Sequence, residues 1–326
     1  MSLAQNFKMG LAWQTSGDAV ASVSSLQWVE HTNETLGREI PPLIVQGMRG
    51  ALDEGDDQEG ANTVAGELEI EARPIETGWF LKAMCGSYAV DEPDTGLFVH
   101  TFQPEQSDWD GLFAKQPMTI HKGMDVGSAQ LFYDLNANVL EMTVANGDFL
   151  KAKLEFVGGQ LNQVAESSPT YETGRRFTWS MNSLSIAGDG GIGAKFTELT
   201  ININENLEAQ HTLRASLYPS RIQRTDYRSI EISGTVKFDD QDEMQEFFSQ
   251  SERELIATFE DTSVEVSSGY YNTLVIKAPR FKYREYKPES TGAGKVEVSF
   301  TGACKYDVES LTAIQFTLTN TQDTYA

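Results

Sequence analysis

Apolar and polar residues alternate with a period of two through much of the chain. Residues 64–71, Val-Ala-Gly-Glu-Leu-Glu-Ile-Glu, alternate acid and apolar side chains, and residues 150–157, Leu-Lys-Ala-Lys-Leu-Glu-Phe-Val, repeat the pattern. Residues 197–203, 231–238, 295–300 and 313–318 follow it as well. Successive strand side chains point to opposite faces, so this alternation predicts half-buried antiparallel strands with one wet face. Many short strands separated by Gly, Asn and Asp turns predict a mainly β protein built as sandwiches or barrels.

Two helices interrupt the strands. Asp239 or Asp240 can cap a helix running to about Ser251, with Asp242 and Glu243 in its first turn, where the helix dipole favours acids. Met244, Phe247 and Phe248 then share one face at helical spacing. In the N-terminal half, Pro74 opens a similar segment that Gly86 closes, with Trp79, Phe80, Ala83 and Met84 as its apolar face.

These units recur in register. Val64-Ala65-Gly66-Glu67-Leu68-Glu69-Ile70 aligns with Ile232-Ser233-Gly234-Thr235-Val236-Lys237-Phe238 at an offset of 168, which also carries Trp79-Phe80 onto Phe247-Phe248. Lys153-Leu154-Glu155-Phe156-Val157-Gly158-Gly159 resembles Glu297-Val298-Ser299-Phe300-Thr301-Gly302-Ala303 at an offset of 144. The first copy therefore holds about 24 extra residues, assigned to the Pro-, Gly- and Asp-rich stretch 88–125. The pattern predicts a tandem duplication: two β-sandwich domains, each with one short flanking α-helix. Residues 1–160 form the first domain, 161–176 a linker and 177–326 the second.

The chain is strongly acidic. Forty-eight acids against 25 bases give a formal charge of −23, which favours solubility and opposes ordinary binding to nucleic-acid phosphate. Cys85 and Cys304 form no metal spacing or disulfide framework and read as two buried thiols of a protein made in a reducing cytoplasm. No apolar run is long enough for a membrane span, and Met1 to Gly10 lacks the pattern of a secretory leader.

Motifs that could carry chemistry fail on context. Residues 188–193 match a dinucleotide fingerprint in letters, but the segment that follows alternates like a strand, whereas the fingerprint needs a helix N-terminus there. Gly294-Lys295 lacks the hydroxyl and first glycine of a phosphate loop. The acidic stretch 53–60 has Gly55 and Gln58 where a calcium loop needs an oxygen ligand and a glycine. His31, His100, His121 and His211 are scattered, and no catalytic, cofactor or metal residue is expected. Arg280 to Lys287 interleaves bases and aromatics, which a strand separates into a basic face and a packed aromatic face.

Two charged sets are candidates for subunit contacts. Long irregular stretches, 36–63 and 207–229, each just before a glycine-containing strand, carry opposite charges. Asp53, Glu54, Asp56, Asp57 and Glu59 lie in the first, and Arg214, Arg221, Arg224 and Arg228 in the second. These loops are expected to dock on each other between subunits. Glu67, Glu69 and Glu71 share a strand face opposite Leu68 and Ile70 and are candidates for the lining of an internal channel.

Taken in order, the segments resemble the duplicated-domain tail tube proteins of long-tailed (siphovirus-like) bacteriophages. Gly10 to Val20 resembles that family's opening segment, residues 64–81 its strand-then-helix signature, and residues 184–186 with 199–206 the strands that start its second copy. Residues 232–248 repeat the signature and 314–320 resemble its closing strand. The acidic insertion at 52–60 has no counterpart in that pattern. The resemblance implies a structural virion protein and not an enzyme. It implies trimeric, pseudo-hexameric rings that stack into a hollow conduit for DNA ejection. The partners it implies are further copies of the chain, a tape-measure protein, and tail initiation and terminator proteins. Double-stranded DNA would pass without specific binding, and no membrane is involved. A tube subunit of a related contractile or secretion machine, or a two-domain β-sandwich binding module, are the alternatives.

Overall fold

The computed structural model describes residues 6–17, 26–45, 53, 56–186, 190–288 and 296–325. The chain is mainly β, with antiparallel pairing throughout its named strands and two α-helices, Glu76–Cys85 and Asp242–Ser249. The alternation read from the sequence is realised strand by strand. In Thr63–Glu71, Val64, Leu68 and Ile70 are buried while Glu67, Glu69 and Glu71 are partly exposed. A short 3-10 turn at Gly190–Ala194 leads into the strand Phe196–Asn204 and not into a helix; Asn182–Ile186 and Phe196–Asn204 pair with different strands, so the connection is no hairpin, and residues 187–189 lie outside the described set.

One sheet runs through both halves of the chain. Its strands follow in the order Asn33–Glu34 with Gly37–Glu39, Thr63–Glu71, Lys151–Val164, Ala129–Ala145, Phe196–Asn204, Ser229–Lys237, Glu297–Cys304 and Tyr270–Tyr286. The halves join where Val139–Ala145 pairs antiparallel with Glu198–Asn204, a seam that also sets the Thr143 and Thr200 hydroxyls 3.0 Å apart. A second link runs through the C-terminal strand Gln315–Asn320, which pairs with Tyr270–Tyr286 on one side and Leu97–Pro104 on the other. The buried faces meet in one apolar cluster that includes Leu68, Phe80, Phe132, Ile201, Phe259 and Phe316.

The glycine-containing strands have the same register in both halves. Gly66 faces Phe156, and Gly234 faces Phe300, the pairs related by the offsets read from the sequence. Both glycines are required by close backbone approach. A Cβ at Gly66, whose φ is +142°, would lie 2.6 Å from the Thr35 carbonyl oxygen, and one at Gly234 would lie 2.3 Å from that of Glu198.

The helices differ in burial. The first is almost enclosed: Phe80, Leu81, Met84 and Cys85 are inaccessible, Trp79 stacks on Trp13, and the ring of Tyr325 lies on Gly78. Its N-terminal N–H groups at Ile75 and Glu76 donate to the Glu172 carboxylate, which supplies the cap a local side chain does not. The second helix buries Glu243 and leaves Phe248 exposed.

The extra residues of the N-terminal half include a hairpin, Gly86–Asp94 with Leu97–Pro104. Both long stretches read as irregular form small two-stranded ladders instead, Pro42–Ile44 with Asp57–Glu59 and Leu207–Gln210 with Arg221–Arg224. Each ladder strand spans only three or four residues, too short for alternation to stand out. The segment 161–176 is no free tether: residues 161–164 complete the Lys151–Val164 strand, Glu172 caps the first helix, and Arg176 holds Glu30 and Glu71 at 2.6 and 2.7 Å.

Candidate assembly surface

The two faces of the continuous sheet have opposite character. On one, Ile70, Ala152, Met142, Ile201, Ile232, Gly302 and Tyr283 succeed one another across neighbouring strands. On the other runs a polar row, Asn33, Glu69, Lys153, Glu141, Asn202, Glu231, Ala303 and Lys282, crossing the seam without a break. Strand periodicity alone enforces this segregation once the strands are in register.

The channel-lining candidates sit on the polar face and are organised by cations and donors. Lys153 lies 3.6 Å from Glu141, 3.7 Å from Glu155 and 3.9 Å from Glu67. Partial burial opposes its charge, but these three carboxylates outweigh that and raise its pKa. Asn33 donates to Glu67 at 2.9 Å, the Thr32 hydroxyl donates to Glu69 at 2.8 Å, and Arg176 binds Glu71. Carboxylates predominate here, so the face is anionic yet held in a fixed pattern.

Both ends of this sheet are open. Among the described residues, Asn33–Glu34 and Gly37–Glu39 pair only with Thr63–Glu71. At the far end, again among the described residues, Lys282–Tyr286 pairs only with Glu297–Cys304. An unpaired strand edge is a template for another chain. The first edge carries the exposed Glu39, with Glu34 held by Lys122 at 2.8 Å, and the second carries Lys282 and Arg284.

The loop candidates are separated by the fold. Asp53, Asp56, Asp57 and Glu59 are exposed, Glu59 being bound by Arg38 and Asn62; Glu54 lies outside the described residues. Arg214 and Arg221 are exposed, with Arg214 donating to the Pro219 carbonyl at 2.7 Å. Arg224 and Arg228 are turned inward. Their Nε groups donate to the two oxygens of Glu205 at 2.8 and 2.7 Å. The two stretches touch at their bases within one chain, where the Asn62 N–H donates to the Leu217 carbonyl at 2.7 Å and Arg38 lies over the Tyr218 ring.

Two buried charge clusters escape a linear reading. Glu205 is inaccessible and also receives Lys115 Nζ at 2.9 Å, itself inaccessible and bonded to the Met84 carbonyl. Burial opposes ionisation of Glu205, but Lys115 and the two arginines overcome it and hold its pKa at about 2. Burial pulls Lys115 down to about 8 against the pull of Glu205. This cluster ties the arginine stretch to the 105–115 segment, with Asp108 bonded to Arg224 and the Glu105 carbonyl to Arg228. At the first helix, burial pushes Glu76 up to about 7, although it accepts the Glu30 N–H and lies near Arg73. Neither cluster stands out in the sequence, because the decisive contacts, Lys115 with Glu205 and the Glu30 N–H with Glu76, join residues far apart in the chain.

A sheet spanning both halves, polar on one face and open at both ends, defines a structural β protein built to self-associate. The chain matches the family model described as phage tail tube protein over residues 6–304, and it belongs to that family. It is a structural tail tube component of a bacteriophage virion. A comparison with curated proteins gives no match.

Proposed function

We propose that three copies of this chain close into a pseudo-hexameric ring and that rings stack into a hollow tube for DNA ejection. The observation that carries this reading is the seam inside the chain. There the edge of Ala129–Ala145 is extended by Phe196–Asn204 from the other half. Matching registers on the glycine strands make Gly37–Glu39 the counterpart of Thr200–Asn202, since Gly37 faces Ala65 and Thr200 faces Ser233. The open edge at Gly37–Glu39 then meets the open edge at Lys282–Tyr286 of the next chain, and the seam is remade between chains. The division into domains 1–160 and 177–326 joined by 161–176 is part of this reading.

Size supports it. Eight strands per chain, counted along the sheet order, give 24 strands for three chains, a circumference of about 115 Å and a diameter of about 37 Å at about 4.8 Å per strand. Strand tilt widens this further. With the polar face inward, Glu67, Glu69 and Glu71 line the bore and repel phosphate, so DNA slides without specific binding. A tape-measure protein fills the bore during growth, initiation and terminator proteins bound the stack, and synthesis takes place in the host cytoplasm. The exposed acids Asp53, Asp56, Asp57 and Glu59, with Glu54, meet Arg214 and Arg221 of another copy between stacked rings. Electron microscopy of the purified chain, combined with mass measurement of the smallest closed particle, tests the reading. Rings of three chains support it, and closed rings of two or four overturn it.

A further inference from the structure

Equivalent positions in the two halves have unequal surroundings, and the inequality identifies a contact between chains. Phe80 and Phe248 occupy the same place on their helices, yet Phe80 is 0% exposed and Phe248 is 68% exposed. Next to the bare helix, Tyr283 and Tyr286 bury their hydroxyls without a hydrogen-bond partner.

The strand that makes the internal seam shows what is missing. Beyond Asn204 it continues into Leu207–Gln210, and Leu207 is buried against Phe113, Ala114 and Ile222. This cluster lies close to the C-terminal end of the first helix, because Lys115 binds both Glu205 and the Met84 carbonyl. Carried on without a gap, the register that equates Gly37 with Thr200 sets Ile44 against Leu207, each in the short ladder that follows its edge strand. Ile44 has no such cover: it is 48% exposed, and its neighbour Leu43 is 61% exposed. The second helix, for its part, is followed within four residues by the strand Arg253–Ser267, with no segment like 105–115 to cover its end. One chain thus presents a bare apolar arm at one end of its sheet and a bare helix face at the other.

We infer that the apolar arm around Leu43 and Ile44 of one chain packs on the second helix around Phe248 of the next chain in the ring. This rests on the ring reading proposed above. The contact is head-to-tail, so it repeats around the ring and closes with it. It lies beside the proposed edge pairing, where the exposed Glu39 of one chain faces Lys282 and Arg284 of the next. Burying an exposed phenylalanine and two aliphatic side chains gives such a joint an apolar centre, the part of an interface that dominates its strength.

The test is a chain carrying both Ile44→Cys and Phe248→Cys. The native Cys85 and Cys304 are buried and do not compete. Oxidation of assembled particles is expected to give covalent species of up to three chains on a non-reducing gel, with no cross-linking of either single variant. In parallel, Phe248→Ser is expected to raise the concentration needed for assembly about tenfold or more while leaving the melting of the unassembled chain unchanged. If the wild type assembles but the double variant stays uncross-linked, or Phe248→Cys links to itself, this contact is wrong and the ring reading survives. An unchanged assembly threshold for Phe248→Ser also overturns the contact alone. If the wild type forms no rings or tubes, both readings fall.

Discussion

Glu205 is the most demanding residue in the chain to replace. It is inaccessible and accepts charge-assisted bonds from Lys115 at 2.9 Å, Arg224 at 2.8 Å and Arg228 at 2.7 Å. Glu205→Leu removes that acceptor and leaves Lys115, buried at 1% exposure, with the carbonyl and the weakly accepting sulfur of Met84. Breaking a buried pair from one side destabilises by about 3–5 kcal/mol. The carboxyl pKa agrees in size: a shift from 4.5 to about 2 corresponds to about 3 kcal/mol. Because the folded-state pKa is depressed, this contribution is present above about pH 4.5 and is lost as the pH falls through about 2. Combining Glu205→Leu with Lys115→Met replaces both members by apolar groups. The double variant is expected to recover at least about 1–2 kcal/mol of the single loss. Recovery is incomplete because the two arginines also lose Glu205, although Arg224 keeps Asp108 and Arg228 keeps the Glu105 carbonyl. The assay is urea unfolding of dilute, unassembled chain at pH 7, followed by tryptophan fluorescence. A loss below about 1 kcal/mol for Glu205→Leu, or a double variant no more stable than the single, would refute the reasoning.

Glu76 should behave in the opposite sense. Its folded pKa is raised to about 7, so its ionisation opposes folding increasingly from about pH 4.5 to 7. Glu76→Gln is therefore expected to stabilise the chain by about 1–3 kcal/mol at pH 8 and to change little at pH 4, as read by thermal melting at the two pH values. Gly234→Ala places a methyl 2.3 Å from the Glu198 carbonyl oxygen and 3.1 Å from the Phe300 ring. It should destabilise by about 2 kcal/mol or more in urea, and a neutral result would show that the strand approach is looser than described. Arg214→Glu with Arg221→Glu, both exposed, should weaken tube formation and leave ring formation and monomer melting intact, with reversal of the acidic stretch to lysine restoring it. Tubes that form normally from this variant would remove the loop contact.

The period-two pattern exposed most of the fold because each half-buried strand has to separate its side chains by face. The glycine strands, both helices and the strand after residue 195 followed from local chemistry: Gly66 where the backbone is approached closely, Gly86 after a helix, alternation from Phe196 onward. What stayed hidden depends on long-range partners. Glu205 and Lys115 are single charged letters in unremarkable surroundings until the fold brings them to 2.9 Å. Arg224 and Arg228 looked equivalent to Arg214 and Arg221 because sequence gives charge without direction; the ladder at 207–224 turns the first pair inward. Likewise Phe80 and Phe248 match in sequence, and only packing distinguishes the covered helix from the bare one.

In the proposed tube, closed by three chains, the polar face of the continuous sheet becomes the lining. An image reconstruction of assembled particles, at a resolution that follows the strands, tests it most directly. Three chains per ring are expected, with Glu69, Lys153, Glu141, Asn202 and Glu231 in one band around the bore and Gly37–Glu39 paired to the strand end at Lys282–Tyr286 of the neighbour. A ring with that band on its outer surface, or one closed through other strands, would contradict it.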